Sequence, residues 1–228
     1  MGTQALEQSW QLVRRLAEQH PDDWHEGYDL VGDSPLRIFG AGAGVPRRVL
    51  VVTNQPVVHR WRTSDWPTGL VIVVTAGIVT RPQAAILERL ASDKSAPIAF
   101  VGDADPMGLH TYASLRGYLG AQRVRFTGIC DAVLDTIGDD DVQPDRLASS
   151  ELSPLDRAHL QLVEGLVRPE RALGPRVSAV LRSGSKIYIE ALSFRAADLV
   201  PALFTAALEV ATRKPKVSRS PQGRITTR

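Results

Sequence analysis

The stretch "IAFVGDADPMGLHTY", residues 98–112, runs four apolar residues into Gly102 and then into two aspartates one residue apart, Asp103 and Asp105. A continuous apolar run that includes β-branched residues is the mark of a strand buried on both faces. Two carboxylates at its end repel each other and lose hydration against an apolar sheet. A divalent cation resolves that conflict, and so does an exposed turn. After the aspartates, "GLHTYASLRGYLG" reads as a helix ended by glycine. The unit is therefore strand, acidic turn, helix.

Outward from this unit the pattern repeats. "RRVLVVTNQ" (47–55) and "GLVIVVTAG" (69–77) carry the same apolar runs, "RPQAAILERLASDK" (81–94) has helical spacing, and "QRVRFTGI" (122–129) reads as a fourth strand. The expected strands are 49–53, 70–75, 98–103 and 123–127. Strands alternating with helices predict a Rossmann-like α/β fold, a parallel sheet flanked by helices whose sites gather at the strands' carboxyl ends. Asp103 and Asp105 sit at such an end. Before the sheet, apolar residues from Leu6 to Leu16 predict a helix over 5–18. The "GAGAG" run at 40–44 reads as a flexible connection, since no phosphate-loop continuation follows. Beyond the sheet, "GDDDVQPD" (138–145) reads as a solvated acidic loop and "SPLDRAHLQLVEGLV" (153–167) as a helix capped by Ser153. "GPRVSAVLRSGSKIYIEALS" (174–193) and "AADLVPALFTAALEVATRK" (196–214) supply helical C-terminal elements.

The chain has 228 residues, 43% hydrophobic and 23% charged, with a net charge of +2. That composition suits one globular domain with appendages. The expected division is an N-terminal helix and linker (1–46), the α/β domain with its helical elements (47–212) and a disordered basic tail (213–228). The tail holds Arg213, Lys214 and Lys216 and no acid, so it is either a solvated end or a phosphate-attracting arm. A single cysteine, Cys130, excludes an internal disulfide and a cysteine-based zinc site and suits a reducing cytoplasm. No signal pattern and no apolar run of membrane-spanning length is present, which predicts a cytoplasmic protein with no membrane partner.

Several elements in order carry a family resemblance. Asp103, Asp105, Pro106, Gly108, Leu109 and Tyr112 form an Asp-x-Asp-Pro-x-Gly turn followed by an aliphatic residue and a tyrosine in the next helix. With "VRFTGI", "LSPLDRAHLQLVEGL" and "SGSKIYIEAL", the array resembles the Toprim domain of topoisomerase VI A subunits and of the related meiotic double-strand-break protein, from about Arg47 to Leu208. The Toprim half of the Wadjet plasmid-defence nuclease subunit is similar. The chain departs from that pattern in two ways. Thr53, followed by Asn54, stands where the family has a glutamate, and the winged-helix domain with its DNA-attacking tyrosine has no counterpart.

The resemblance implies a DNA-acting protein that uses Mg²⁺ or Mn²⁺, a nuclease-like or topoisomerase-related component. DNA and protein partners are implied with it, a condensin-like or topoisomerase-like complex among them. Asp103 and Asp105 are the implied metal ligands, with Glu190 as an auxiliary catalytic acid, while Lys186, Arg213, Lys214 and Lys216 are candidate DNA contacts. The alternative is a catalytically inactive scaffold that binds protein or DNA. For Glu190 the plain alternative is a helix-surface acid paired with Lys186. Asp65 and Glu88 are remoter candidate acids. His110 is read either as a phosphate contact or as a solvated side chain, and His59, Arg60 and Arg62 as a basic loop facing DNA or solvent.

Overall fold

The computed structural model describes residues 36–213 except 41–45, 63–64, 76, 92–96, 139 and 197, together with scattered positions between 4 and 19. Those scattered positions, Gln4, Gln8 and Leu12 among them, are helical and exposed.

Five strands form one sheet: β1 (Arg37–Gly40), β2 (Arg48–Val52), β3 (Leu70–Val74), β4 (Ile98–Val101) and β5 (Val124–Phe126). Their order is β1-β3-β2-β4-β5, with β1 antiparallel to β3 and the other four strands parallel. The four parallel strands are those expected from the apolar runs. Every residue of β3 and β4 is buried, so both faces of the sheet are covered. The antiparallel β1 was not expected. It is four residues long, largely exposed and adjacent to the glycine run, so it lacks the apolar signature of its neighbours.

The helices are α1 (Gln55–Val58), α2 (Arg81–Leu90), α3 (Pro106–Leu119), α4 (Asp131–Ile137), α5 (Pro144–Leu147), α6 (Pro154–Glu164), α7 (Pro169–Leu173), α8 (Pro175–Arg182), α9 (Glu190–Arg195) and α10 (Leu199–Thr212). Proline within the first two positions recurs at many of them, where its missing N–H costs nothing. Helix α3 is buried nearly all round, which marks a helix at the centre of a core rather than at its surface. Phe100 on β4 lies 6.2 Å from Tyr112 of α3 and 5.5 Å from Phe126 of β5, centroid to centroid. Trp61 stacks on Phe204 of α10 at 4.9 Å, docking the last helix.

One expected helical stretch is partly a hairpin. Within 174–193, helix α8 stops at Arg182 and Gly184 takes a positive φ of 100°, open to glycine at little steric cost. The chain then forms β7 (Ser185–Lys186), antiparallel to β6 (Ser150–Glu151). The acidic segment 138–145 is not a bare loop either: Asp140–Val142 is a 3₁₀ turn and α5 begins at Pro144.

Candidate functional site

The site grows from the pairing of the two central strands. Val52 of β2 lies opposite Val101 of β4, so both chains leave the sheet side by side, one towards Asn54 and the other towards Asp103. A third segment closes over them. Ala104 and Ile187 exchange backbone hydrogen bonds of 2.9 and 3.3 Å, bringing Ile189 and Glu190 onto the same edge.

The Ile189 N–H donates to Asp103 Oδ1 at 2.7 Å. Asn54 Nδ2 donates to Glu190 Oε1, and Asn54 Oδ1 accepts from the Val57 N–H at 3.3 Å to cap α1. Asp105 caps α3, its Oδ1 accepting from the Gly108 N–H at 2.6 Å. Gly108 is required there: a Cβ would fall 2.4 Å from the Asp103 carbonyl oxygen. The Asp-x-Asp-Pro-x-Gly turn thus folds one aspartate into a helix cap and places the other, half-buried, at the cleft.

Asp103, Asp105 and Glu190 share one electrostatic field. Partial desolvation raises the Asp103 carboxyl well above the usual carboxylate range; Asp105 and Glu190 push it further, and the Ile189 N–H opposes them. Asp103 and Glu190 line a cleft of about 770 Å³, whose wall includes Arg146, Ser149, Tyr188, Phe194 and Arg195. Ser149 ties that wall together, donating to the Leu147 carbonyl at 3.0 Å and accepting from the Tyr188 N–H at 3.2 Å.

Several expected residues lie elsewhere. Lys186 is not an exposed DNA contact: it is buried, and its Nζ donates to Asp156 Oδ2 at 2.7 Å. Nor does it pair with Glu190, because β7 and the following turn interrupt the helix that such a pair needs. Asp156 also completes the Ser153 capping box, so this one bond fastens the hairpin to α6. Burial draws the Lys186 ammonium down, but hydrogen bonds to Asp156 and Tyr188 outweigh it and leave the group raised. His110 is neither a phosphate contact nor solvated. It is buried within α3, its Nδ1 2.9 Å from His159 Nε2 of α6. Burial lowers His110 to about 4 and His159 well below its ordinary value.

Glu88 is exposed and 3.7 Å from Arg123, away from the cleft, and Asp65 is exposed outside the cleft lining. His59, Arg60 and Arg62 are exposed around the buried Trp61. Arg213 is exposed and pairs with Glu209 at 2.5 Å; Lys214 and Lys216 lie outside the described residues. Cys130 is buried and its thiol pushed up to about 12 by burial, so it is a packing residue. Sequence reasoning placed the strand-end position of interest at Thr53, whereas Asn54 is the residue whose side chain reaches the acids. The available signal was the capping pattern: asparagine two residues before Pro56 opens a helix.

A divalent ion can be tested against these donors. Among the described residues no three His, Cys, Asp or Glu side chains are grouped closely enough to hold an ion by themselves. Magnesium asks for less: it keeps several waters and is held by one or two carboxylates plus substrate phosphates. Asp103 and Asp105 have each committed one oxygen to a backbone N–H, and Asp103 stands in the field of two further acids. That donor set fits a weakly held, water-rich magnesium ion.

Fold and site together define a mostly parallel α/β domain with carboxylates at the carboxyl edge of its sheet. The chain belongs to the family described as "Protein of unknown function C-terminus (DUF2399)", whose model matches residues 36–172, more than half of its length. Lys186, Ile189 and Glu190 lie beyond the matched residues. No curated protein matches the chain. Among the described residues no helix is long and apolar enough to cross a membrane.

Proposed function

We propose that this chain is a divergent Toprim-type domain of the topoisomerase VI A kind that acts on DNA as a magnesium-dependent, nuclease-like component. The observation that carries the reading is the meeting of Asp103, Asp105 and Glu190, from segments far apart in the chain, beside one open cleft. Asp103 and Asp105 would hold the ion, with Glu190 as the auxiliary acid. Magnesium there would polarise a phosphodiester and lower the pKa of a bound water. The chain's own part is to aim the carboxylates: Ile189 orients Asp103, Asn54 orients Glu190, and the α3 cap fixes Asp105. The setting is cytoplasmic in this reading, with a condensin-like or topoisomerase-like complex as partner.

A second reading is favoured by Asn54. Its amide, one residue past Thr53 where the family has a glutamate, already satisfies one Glu190 oxygen, which suits an inactive scaffold that binds DNA or protein. Nicking of supercoiled plasmid in Mn²⁺ separates the two. The nuclease reading expects wild-type nicking that Asp103→Ala lowers by about a hundredfold or more, the scale of losing a positioned catalytic group. If the chemistry has lapsed through the missing acid, wild type is silent and Thr53→Glu or Asn54→Asp restores nicking. Asn54→Asp is the sharper variant, because its side chain already points at Glu190. Folded proteins that are all silent would leave the scaffold.

A further inference from the structure

The cleft beside the acids carries a second chemistry that metal binding does not use. Phe194, on α9, is 84% exposed, the most exposed large apolar side chain among the described residues. It stands one helical turn beyond Glu190 on the same helix, so the two project from adjoining turns of one face. Both line the cleft, along with the partly exposed Tyr188 and the exposed Arg146 and Arg195. Arg195 Nη2 donates to the backbone carbonyl of Arg146, and Arg146 Nη1 donates to the Asp140 carbonyl at 3.4 Å. An aromatic face in water, with two exposed arginines and two carboxylates lining the same cleft, is unsuited to a purely apolar partner. It suits a ligand that alternates flat rings with phosphates.

We propose that this cleft binds a single-stranded segment of nucleic acid. An unpaired base stacks on Phe194, its backbone phosphate meets Arg146 and Arg195, and the neighbouring phosphodiester lies against Asp103 and Glu190. Stacking on an exposed ring requires a base with a free face, which a base inside a duplex lacks. The arginines counter the repulsion that the acids would otherwise exert on a phosphate. The inference rests on the nucleic-acid reading above and adds to it the form of the substrate.

Fluorescence anisotropy of the full chain with a labelled single-stranded DNA, its duplex and the matching RNA, all in EDTA, tests it without any cleavage. The single strand should bind more tightly than the duplex. Phe194→Ala should weaken the single strand by about 5- to 150-fold, the range set by one lost base stack, while leaving duplex binding unchanged. Phe194→Trp should preserve the single-strand affinity. Arg195→Gln should lower the salt slope by about one. Because Phe194 is exposed, these variants keep the fold. Equal affinity for single strand and duplex, or indifference of the single strand to Phe194→Ala, would overturn the inference; Asp103-dependent nicking would then still uphold the function proposed above. A Phe194→Ala effect confined to self-association in sedimentation would also overturn it, assigning the face to protein contact. Tighter binding of RNA, still dependent on Phe194, would support the stacked strand and count against DNA as substrate. No binding to any of the three probes would overturn both.

Discussion

Two carboxylates in this molecule, one buried and one half-buried, have opposite surroundings. Asp156 accepts a 2.7 Å bond from Lys186 and closes a capping box, whereas Asp103 faces two other acids across the sheet edge. The interior thus satisfies its charges, and the edge holds a charge conflict open. A carboxylate that is matched inside the protein serves the fold. One that is left in conflict at a cleft stores affinity for something positive that arrives from outside, a proton or a cation.

The largest effect expected is at the matched pair. Lys186→Met should destabilise the protein by about 3–5 kcal/mol, since it leaves Asp156 buried without its counter-charge. Adding Asp156→Asn, which keeps a carbonyl for the cap, should recover most of the loss. Chemical denaturation of the three variants checks this. A loss below about 1 kcal/mol would put the pair on a par with a surface ion pair and dissolve the contrast.

The interior and the edge should also answer pH with opposite signs. His110 and His159 are held neutral, with folded values below the ordinary 6.5, so the unfolded chain binds more protons. Their contribution is complete above about pH 6.5 and is lost as the pH falls; His110, at about 4, alone accounts for roughly 3 kcal/mol. For Asp103 the folded value is raised, so its contribution grows as the pH falls and is lost as the pH rises through the folded value. Denaturation midpoints between pH 7 and 4.5 should drop for wild type and drop less for His110→Phe. Identical pH profiles would show that the histidine pair does not set acid stability.

The smallest effect is the most informative about the edge. Asp103→Asn keeps an acceptor for the Ile189 N–H and removes the conflict, so it should stabilise the protein by about 1 kcal/mol at neutral pH. Magnesium should narrow that gap by stabilising wild type alone. Thermal melts with and without Mg²⁺ read both changes. An Asp103→Asn variant less stable than wild type would mean that the carboxylate is matched after all.

What could be read from the sequence divides along the same line. The four parallel strands were legible because a strand buried on both faces writes its burial directly as an unbroken apolar run. The Asp-x-Asp turn was legible because its place after such a run fixes where it lies in space. Lys186 and His110 were misread for a shared reason. Whether a polar residue is exposed depends on a partner remote in the chain, Asp156 in one case and His159 in the other, and local pattern does not encode that pairing. Strand β1 was missed because four largely exposed residues beside a glycine run carry no period. Glu190 came to the site through resemblance, and Asn54 was overshadowed by its neighbour Thr53.

The contact between Asn54 and Glu190 joins residues 136 positions apart. On a ribosome adding about 5–20 residues per second, the segment bearing Glu190 is made on the order of ten seconds after Asp105. Once β5 has been made, the nascent chain holds the sequence of all five strands, but the edge is still missing the segment that completes it. Any reactivity of this edge is thereby withheld until the segment bearing Glu190 has been made, a built-in delay between having a fold and having a site.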